Sequence, residues 1–168
     1  MQALLQTMSR GLARVTGWVI IAMTTVMMAS LILQVFSRYV IGQGFTWTEE
    51  LALFLFTWVV LLAATTAIRD DGHVRLQLVV DLLPAALRRL WMRVLTLAVL
   101  AFCVVFASSG ADYLTQTMGQ VSAAVQYPIE ALHLAAPVTG ILGAFHALAR
   151  LLAPQSAIDG QPQTGGMV

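Results

Sequence analysis

Charge is what this sequence has least of. Asp, Glu and Arg together supply 10% of the residues, and lysine is absent, so all nine basic side chains are arginine. A soluble domain devotes about a quarter of its residues to charge, which excludes that class. With a net charge of +1 and no basic stripe, nucleic acid is excluded as a partner. Cysteine occurs once, at Cys103 inside an apolar run, so no internal disulfide and no CxxC metal or redox site can form. Histidine is scarce too. His133 and His146 fall on one apolar run, and no other run offers a facing His for a bis-His haem. There is no P-loop for a nucleotide, and no cofactor is expected. At 168 residues the chain has room for a few membrane spans and short loops but not for an additional soluble catalytic domain, so no enzymatic activity is expected.

What fills the chain instead is apolar. Hydrophobic residues make up 59% and the mean hydropathy is +0.82, the composition of an integral membrane protein. Residues 17–36 contain no charge, and at 1.5 Å per residue they reach about 30 Å, the thickness of the hydrocarbon core. This run is too long for the apolar core of a signal peptide, although Arg10 and Arg14 precede it. Residues 51–68, 94–111 and 131–149 are likewise free of Asp, Glu, Lys and Arg. The expected fold is an all-α membrane protein with four transmembrane helices in one domain over residues 1–153, followed by a flexible polar tail, 154–168. Before the first span, Leu4, Leu5, Met8, Leu12 and Val15 recur at helical spacing, which predicts a segment lying along the membrane surface.

The arginines orient the chain. Arg10, Arg14, Arg69, Arg75, Arg88, Arg89, Arg93 and Arg150 fall on one side of the four spans, and only Arg38 on the other. By the positive-inside rule both termini face the cytoplasm.

Between spans two and three, Leu76, Val79, Val80 and Leu83 share one helical face while Arg75, Gln77 and Asp81 take the other. Ten residues cannot span a bilayer. The pattern predicts an interfacial helix over residues 74–83 in contact with membrane lipids, ended by Pro84, which takes the first turn of the next helix. Trp91 is an interface anchor for span three, with Arg88, Arg89 and Arg93 at headgroup level.

The charges around span two are the most suggestive. Thr46 and Glu49 fit a capping box, which leaves Glu50 free for another task. Glu50 either pairs with Arg38, contacts a partner, or binds a coupling ion at the mouth of the helix. Arg69 near the last turn complements the helix dipole, Asp70-Asp71-Gly72 makes a turn, and His73 beside it reads as a surface hydrogen-bonder. Span four carries small residues at Ala136, Gly140 and Ala144, with Gly143 adjacent, spacing that lets helices approach closely. Pro137 predicts a kink near His133. Phe36, Phe54, Phe56, Trp58 and the small-residue stripe exceed what four helices can turn inward, which predicts a partner subunit. A self-contained four-helix proton-coupled exporter needs an ionisable group within a span, where span one offers only Gln34. A membrane redox or anchor subunit needs metal or haem ligands that are not there.

The residues Arg38-Tyr39, Trp47, Glu49-Glu50-Leu51, Trp58, Ala67, Arg69, His73-Val74 and Leu83-Pro84 resemble the signature of the small, DctQ-like membrane subunit of tripartite ATP-independent periplasmic (TRAP) transporters. Tyr127-Pro128 and Ala135-Ala136-Pro137 extend the similarity into the fourth helix. Leu62-Ala63 departs from it, standing where the family commonly has Leu-Gly. The resemblance implies a four-helix protein of the bacterial inner membrane that works with two partners. A periplasmic binding protein captures a small organic acid, a large membrane subunit carries it inward with sodium, and the small subunit braces the large one as a heterodimer. It also implies that Arg38, Tyr39, Trp47, Glu49, Glu50, Trp58, Arg69, His73 and Pro84 are structural or interface positions, to which the amphipathic run adds Arg75 and the small-residue stripe adds Gly140.

Overall fold

A computed structural model describes residues 2–69 and 84–152. The predicted interfacial helix, His73, Arg75 and the C-terminal tail lie outside the described residues. The first helix, α1, runs unbroken over Gln2–Phe36. The predicted surface segment is therefore not separate: it is the beginning of the helix that crosses the membrane. The reason lies in one seam. Ser9, Ala13, Thr16, Ile20, Met23, Met27, Ser30, Gln34 and Ser37 are all buried or half-buried, at alternating spacings of four and three residues that keep a helix face against a neighbour. Five of these nine are Ser, Ala or Thr, small enough for close approach in lipid.

A π-helical turn, Ser37–Ile41, closes this helix. Gly42 follows at φ 77°, and its N–H bonds the Ser37 carbonyl. That left-handed conformation suits glycine, which has no Cβ to clash. The chain then reverses into α2, Thr46–Arg69. Its buried positions Thr48, Ala52, Leu55, Leu62 and Thr65 form the matching seam. Thr57, Thr65 and Thr66 each donate their hydroxyl to a carbonyl of their own helix, so none of these three hydroxyls is stranded where water is absent.

Helix α3, Ala85–Gln116, starts after Pro84. Pro84 occupies the capping position itself, one residue before the first helical one, at φ −53°, and its carbonyl accepts the Arg88 N–H at 3.0 Å. After a hairpin come a short α4, Glu130–His133, and α5, Ala135–Leu151. The break between them falls at Leu134, where the sequence predicts a kink. Pro137 has no N–H to offer the His133 carbonyl, and the regular pattern resumes with Val138 bonding Leu134.

Among the described residues, four helical stretches are long and apolar enough to cross a membrane: Thr7–Ile41, Thr46–Ile68, Leu90–Gln116 and Glu130–Leu151. They pack mainly as a row, with α1 on α2, α2 on α5 and α5 on α3, and α1 also touches α5. Helix α5 is the centre of the row. Its stripe of small residues lies inside the chain, so it does not form an outward face as the sequence pattern suggests. A Cβ on Gly140 would stand 2.7 Å from both the Cβ and the backbone N of Ala107. One on Gly143 would stand 2.8 Å from Cys103 Sγ, and one on Gly110 of α3 would stand 2.9 Å from Ala136 Cβ. Phe36 and Phe56 remain exposed.

Candidate functional site

The side-chain hydrogen bonds between elements gather at the two ends of the row. At the arginine-poor end, the connection between α3 and α4 folds into a hairpin. Ser122 N–H bonds the Tyr127 carbonyl and Ile129 N–H the Gln120 carbonyl, each at 3.0 Å, closing an isolated antiparallel bridge between Val121 and Pro128. Gly119 at φ 82° and Gln126 at φ 57° make the reversals. The base of the hairpin is tied to α4 twice. Thr117 Oγ1 lies 2.8 Å from His133 Nδ1, and the Glu130 carboxylate accepts the Gly119 N–H. The Tyr113 ring covers His133 at 4.5 Å.

Glu50, one turn into α2, holds the tip. Its Oε1 accepts the Ala124 N–H at 2.8 Å, and its Oε2 accepts the Val125 N–H at 2.8 Å and the Ser122 hydroxyl at 2.9 Å. Two successive backbone amides straddling a carboxylate form an anion nest, and bonds to an ionised acceptor are stronger than neutral ones. Three donors from the hairpin thus occupy the two oxygens, and among the described residues no cation pairs with either. Below it, Phe54 meets Tyr127 edge to face at 5.2 Å, and the Trp58 indole donates to the Ala131 carbonyl at 3.1 Å. Burial first, and the charge of Glu50 second, hold the Tyr127 phenol above its usual pKa.

Several predicted partnerships resolve differently. Arg38 is exposed, and among the described residues no ion pair joins it to Glu50. The capping box does not form. Glu49 Oε2 instead accepts from Gln34 Nε2 of α1 at 3.4 Å, while Thr48 Oγ1 donates to the Phe45 carbonyl at 2.6 Å. Tyr39, Phe45 and Trp47 project outward, Tyr39 with 82% of its surface exposed, and the rings of Phe45 and Trp47 stack. Gly140 belongs to the α3–α5 contact.

The arginine-rich end supplies what the sequence pattern does not reveal. Ser9 Oγ lies 2.8 Å from Nδ1 of the buried His146, fastening the start of α1 to α5. Arg69 ends α2, but a cation from another helix serves the carbonyls there: Arg150 Nη1 donates to the Ile68 carbonyl at 3.2 Å. Favourable charge at a helix C-terminus thus comes across the row. Small residues in α1 at four-three spacing are the available signal for the first contact. For Arg150 there is no local signal.

Comparison with known proteins follows the same line. The family model described as "Tripartite ATP-independent periplasmic transporters, DctQ component" matches residues 27–156. The C4-dicarboxylate TRAP transporter small permease protein DctQ of Vibrio cholerae is 28% identical over 92 residues, covering 55% of this chain and 38% of that protein. The isethionate TRAP transporter permease protein DctMQ of Oleidesulfovibrio alaskensis is 33% identical over 95 residues, which is 55% of this chain and 15% of that one. The sialic acid TRAP transporter permease protein SiaT of Haemophilus influenzae is 31% identical over 102 residues, 61% of this chain and 15% of the relative. The chain therefore spans well under two thirds of the length of each relative.

Proposed function

Because the chain belongs to the DctQ family of tripartite ATP-independent periplasmic transporters, we propose that it braces a large sodium-coupled membrane subunit during import of a small organic acid. A periplasmic binding protein delivers that acid. The single observation that carries the brace reading is the state of Glu50. Its carboxylate, which the sequence leaves open for ion coupling, accepts three donors from the hairpin. The relatives support the rest. In two of them the matched stretch is 15% of a longer permease chain, as expected for a small subunit that works one-to-one against a large one. Their names carry a C4-dicarboxylate, isethionate and sialic acid, which favours an organic anion here too.

Positive-inside orientation puts both termini in the cytoplasm of a bacterial cell, with the hairpin and Arg38 on the periplasmic side of the inner membrane. Residues 74–83 then lie at the cytoplasmic interface as a float, holding the small subunit at fixed height while the partner moves its cargo. Arg75 among anionic headgroups adds attraction on the order of 1 kcal/mol. Co-expression with the large subunit tests the assignment. The chain should co-purify as a one-to-one heterodimer, and Glu50→Gln should leave the sodium stoichiometry of uptake unchanged. A monodisperse homodimer that captures no large subunit sinks the brace, and an altered stoichiometry makes Glu50 an ion-coupling residue.

A further inference from the structure

One hydroxyl at the base of the hairpin decides the state of a histidine. Thr117 is buried, and its Oγ1 lies 3.0 Å from the Tyr113 carbonyl oxygen, 3.2 Å from that of Leu114 and 2.8 Å from His133 Nδ1. A hydroxyl has one hydrogen and two lone pairs. Carbonyls only accept, so the hydrogen goes to the backbone, as it does for Thr96, Ser108 and Thr115 of the same helix. A lone pair then faces Nδ1, which must carry a proton and donate it. The neutral ring therefore keeps its basic lone pair at Nε2. None of the described residues bonds Nε2, and the ring is half-buried, so water reaches part of it.

A proton added at Nε2 breaks no bond. Nδ1 still donates to Thr117, now from a charged ring, and charge-assisted bonds are about twice as strong as neutral ones. The surroundings favour the cation. The Tyr113 ring lies 4.5 Å from the imidazole, within cation–π range. Helix α4 packs on α3, α5 and α2, and the titratable groups these elements bring to this end are Glu130 on α4, Asp112 and Tyr113 on α3, Glu49 and Glu50 on α2, and Tyr127 in the hairpin. Helix α5 adds only His146 and Arg150, at its far end, and Arg38 belongs to the connection between α1 and α2. We propose that His133 is a proton site that tightens the base of the hairpin: as the solution at this end acidifies, Nε2 takes a proton and Nδ1 holds Thr117 more firmly. Imidazole is the side chain that changes charge between about pH 5 and 8. Under the proposed orientation the solution is the periplasm. The bond exists in both states, so acid stiffens the hairpin without rearranging it.

The test uses the full chain in nanodiscs with its histidines labelled with nitrogen-15, the His133 signals being those lost in His133→Gln. At about pH 8 nuclear magnetic resonance should show Nδ1 protonated and Nε2 bare; on acidification to about pH 5.5 Nε2 should gain its proton while Nδ1 keeps its own. Hydrogen exchange of the Thr117 and Gln120 amides, which bond the Leu114 and Thr117 carbonyls, should slow about fivefold over the same interval after correction for its intrinsic pH dependence. Thr117→Val keeps the shape, removes the acceptor and should abolish the slowing while the imidazole still takes its proton. Tyr113→Leu, at an exposed position, should leave a smaller slowing. A bare Nδ1 at the higher pH overturns the assignment of the hydrogen. Wild-type exchange that ignores pH, or equal slowing in Thr117→Val, overturns the tightening. Nanodiscs expose both faces to one solution, so the result does not depend on the orientation of the chain.

Discussion

Glycine at position 140 offers the sharpest test of the packing. The α3–α5 pair is so close that the missing Cβ would lie 2.7 Å from the backbone N of Ala107 and 2.8 Å from its Cα. Because those are backbone atoms, no rotamer change relieves the contact, and Gly140→Ala must push the helices apart. Overpacking costs about 1–3 kcal/mol, and contact with backbone places this site at the upper end. Against it stands the intrinsic preference of a helix for Ala over Gly, about 1 kcal/mol. The net loss is about 2 kcal/mol, roughly a thirtyfold fall in the folded-to-unfolded ratio. Gly17 in α1 provides the control: a methyl there would meet nothing within 4 Å, so Gly17→Ala keeps only the propensity gain. Adding Ala107→Gly to Gly140→Ala removes the clash with the Ala107 Cβ but not those with its backbone, and should rescue stability in part. Thermal unfolding of the purified chain, followed by circular dichroism in one detergent, compares the three variants with the wild type. If Gly140→Ala melts at or above the temperature of Gly17→Ala, the close approach of α3 and α5 is wrong.

Other consequences are simpler to state. Ser9→Ala takes the hydroxyl from buried His146 Nδ1 and should cost about 1–3 kcal/mol, read as a lower midpoint in the same melts; an unchanged midpoint would mean that α1 is not fastened to α5. Trp58→Phe keeps an aromatic ring but loses the bond to the Ala131 carbonyl, with an expected loss of about 1 kcal/mol and faster exchange in the first turns after Ile129. Replacing Val79 and Val80 by Asp should lower uptake by the assembled transporter more than it lowers the amount of protein in the membrane, and normal uptake at normal expression would make residues 74–83 a connector only. In a protein with Tyr39 and Tyr113 changed to Phe, Glu50→Gln should lower the titration midpoint of the Tyr127 phenol, because it removes the second of the two causes that raise it; ultraviolet absorbance of the phenolate reads the change.

Legibility in the sequence follows the range of the chemistry. The break before α5 is readable because its cause, the missing N–H of Pro137, acts on the carbonyl four residues back. The four spans are readable because each satisfies its backbone within itself, so length and hydropathy suffice. The stripe at Gly140 tells of a close approach but not of the partner, since Cys103, Ala107 and Gly110 of α3 and Ser9, Ala13 and Thr16 of α1 offer small residues at the same four-three spacing. Glu50 is the instructive failure. Charge arithmetic offers Arg38, the nearest cation on that side, but the real donors are amides 74 and 75 residues away. Every residue except proline carries such a donor, so a nest has no residue signature. Glu49 shows a local signature overridden: the capping box loses to Gln34 on the neighbouring helix. At the start of α1, the spacing of Leu4, Leu5, Met8, Leu12 and Val15 suggests a surface segment, while the register of Ser9, Ala13 and Thr16 decides the packing.

The row of helices bears on the proposed role as a brace. In water, four helices close into a bundle because every exposed apolar face costs free energy. In lipid that penalty vanishes, and small-residue contacts and polar bonds decide which faces meet. Here those contacts converge on α5: glycine seams toward α3, His146 toward α1, Arg150 toward the end of α2. Nothing comparable among the described residues draws α1 toward α3, whose outward faces keep Trp18, Ile21, Ile32, Phe102 and Val105 exposed. The polar bonds instead stitch the ends, Glu50 and Trp58 at one and Ser9 and Arg150 at the other. A row stitched at both ends resists shear along the membrane normal, since sliding a stitched helix by one turn breaks the bonds that hold its ends. Resistance to shear is what the proposed frame requires if a neighbouring subunit is to move its cargo through the bilayer.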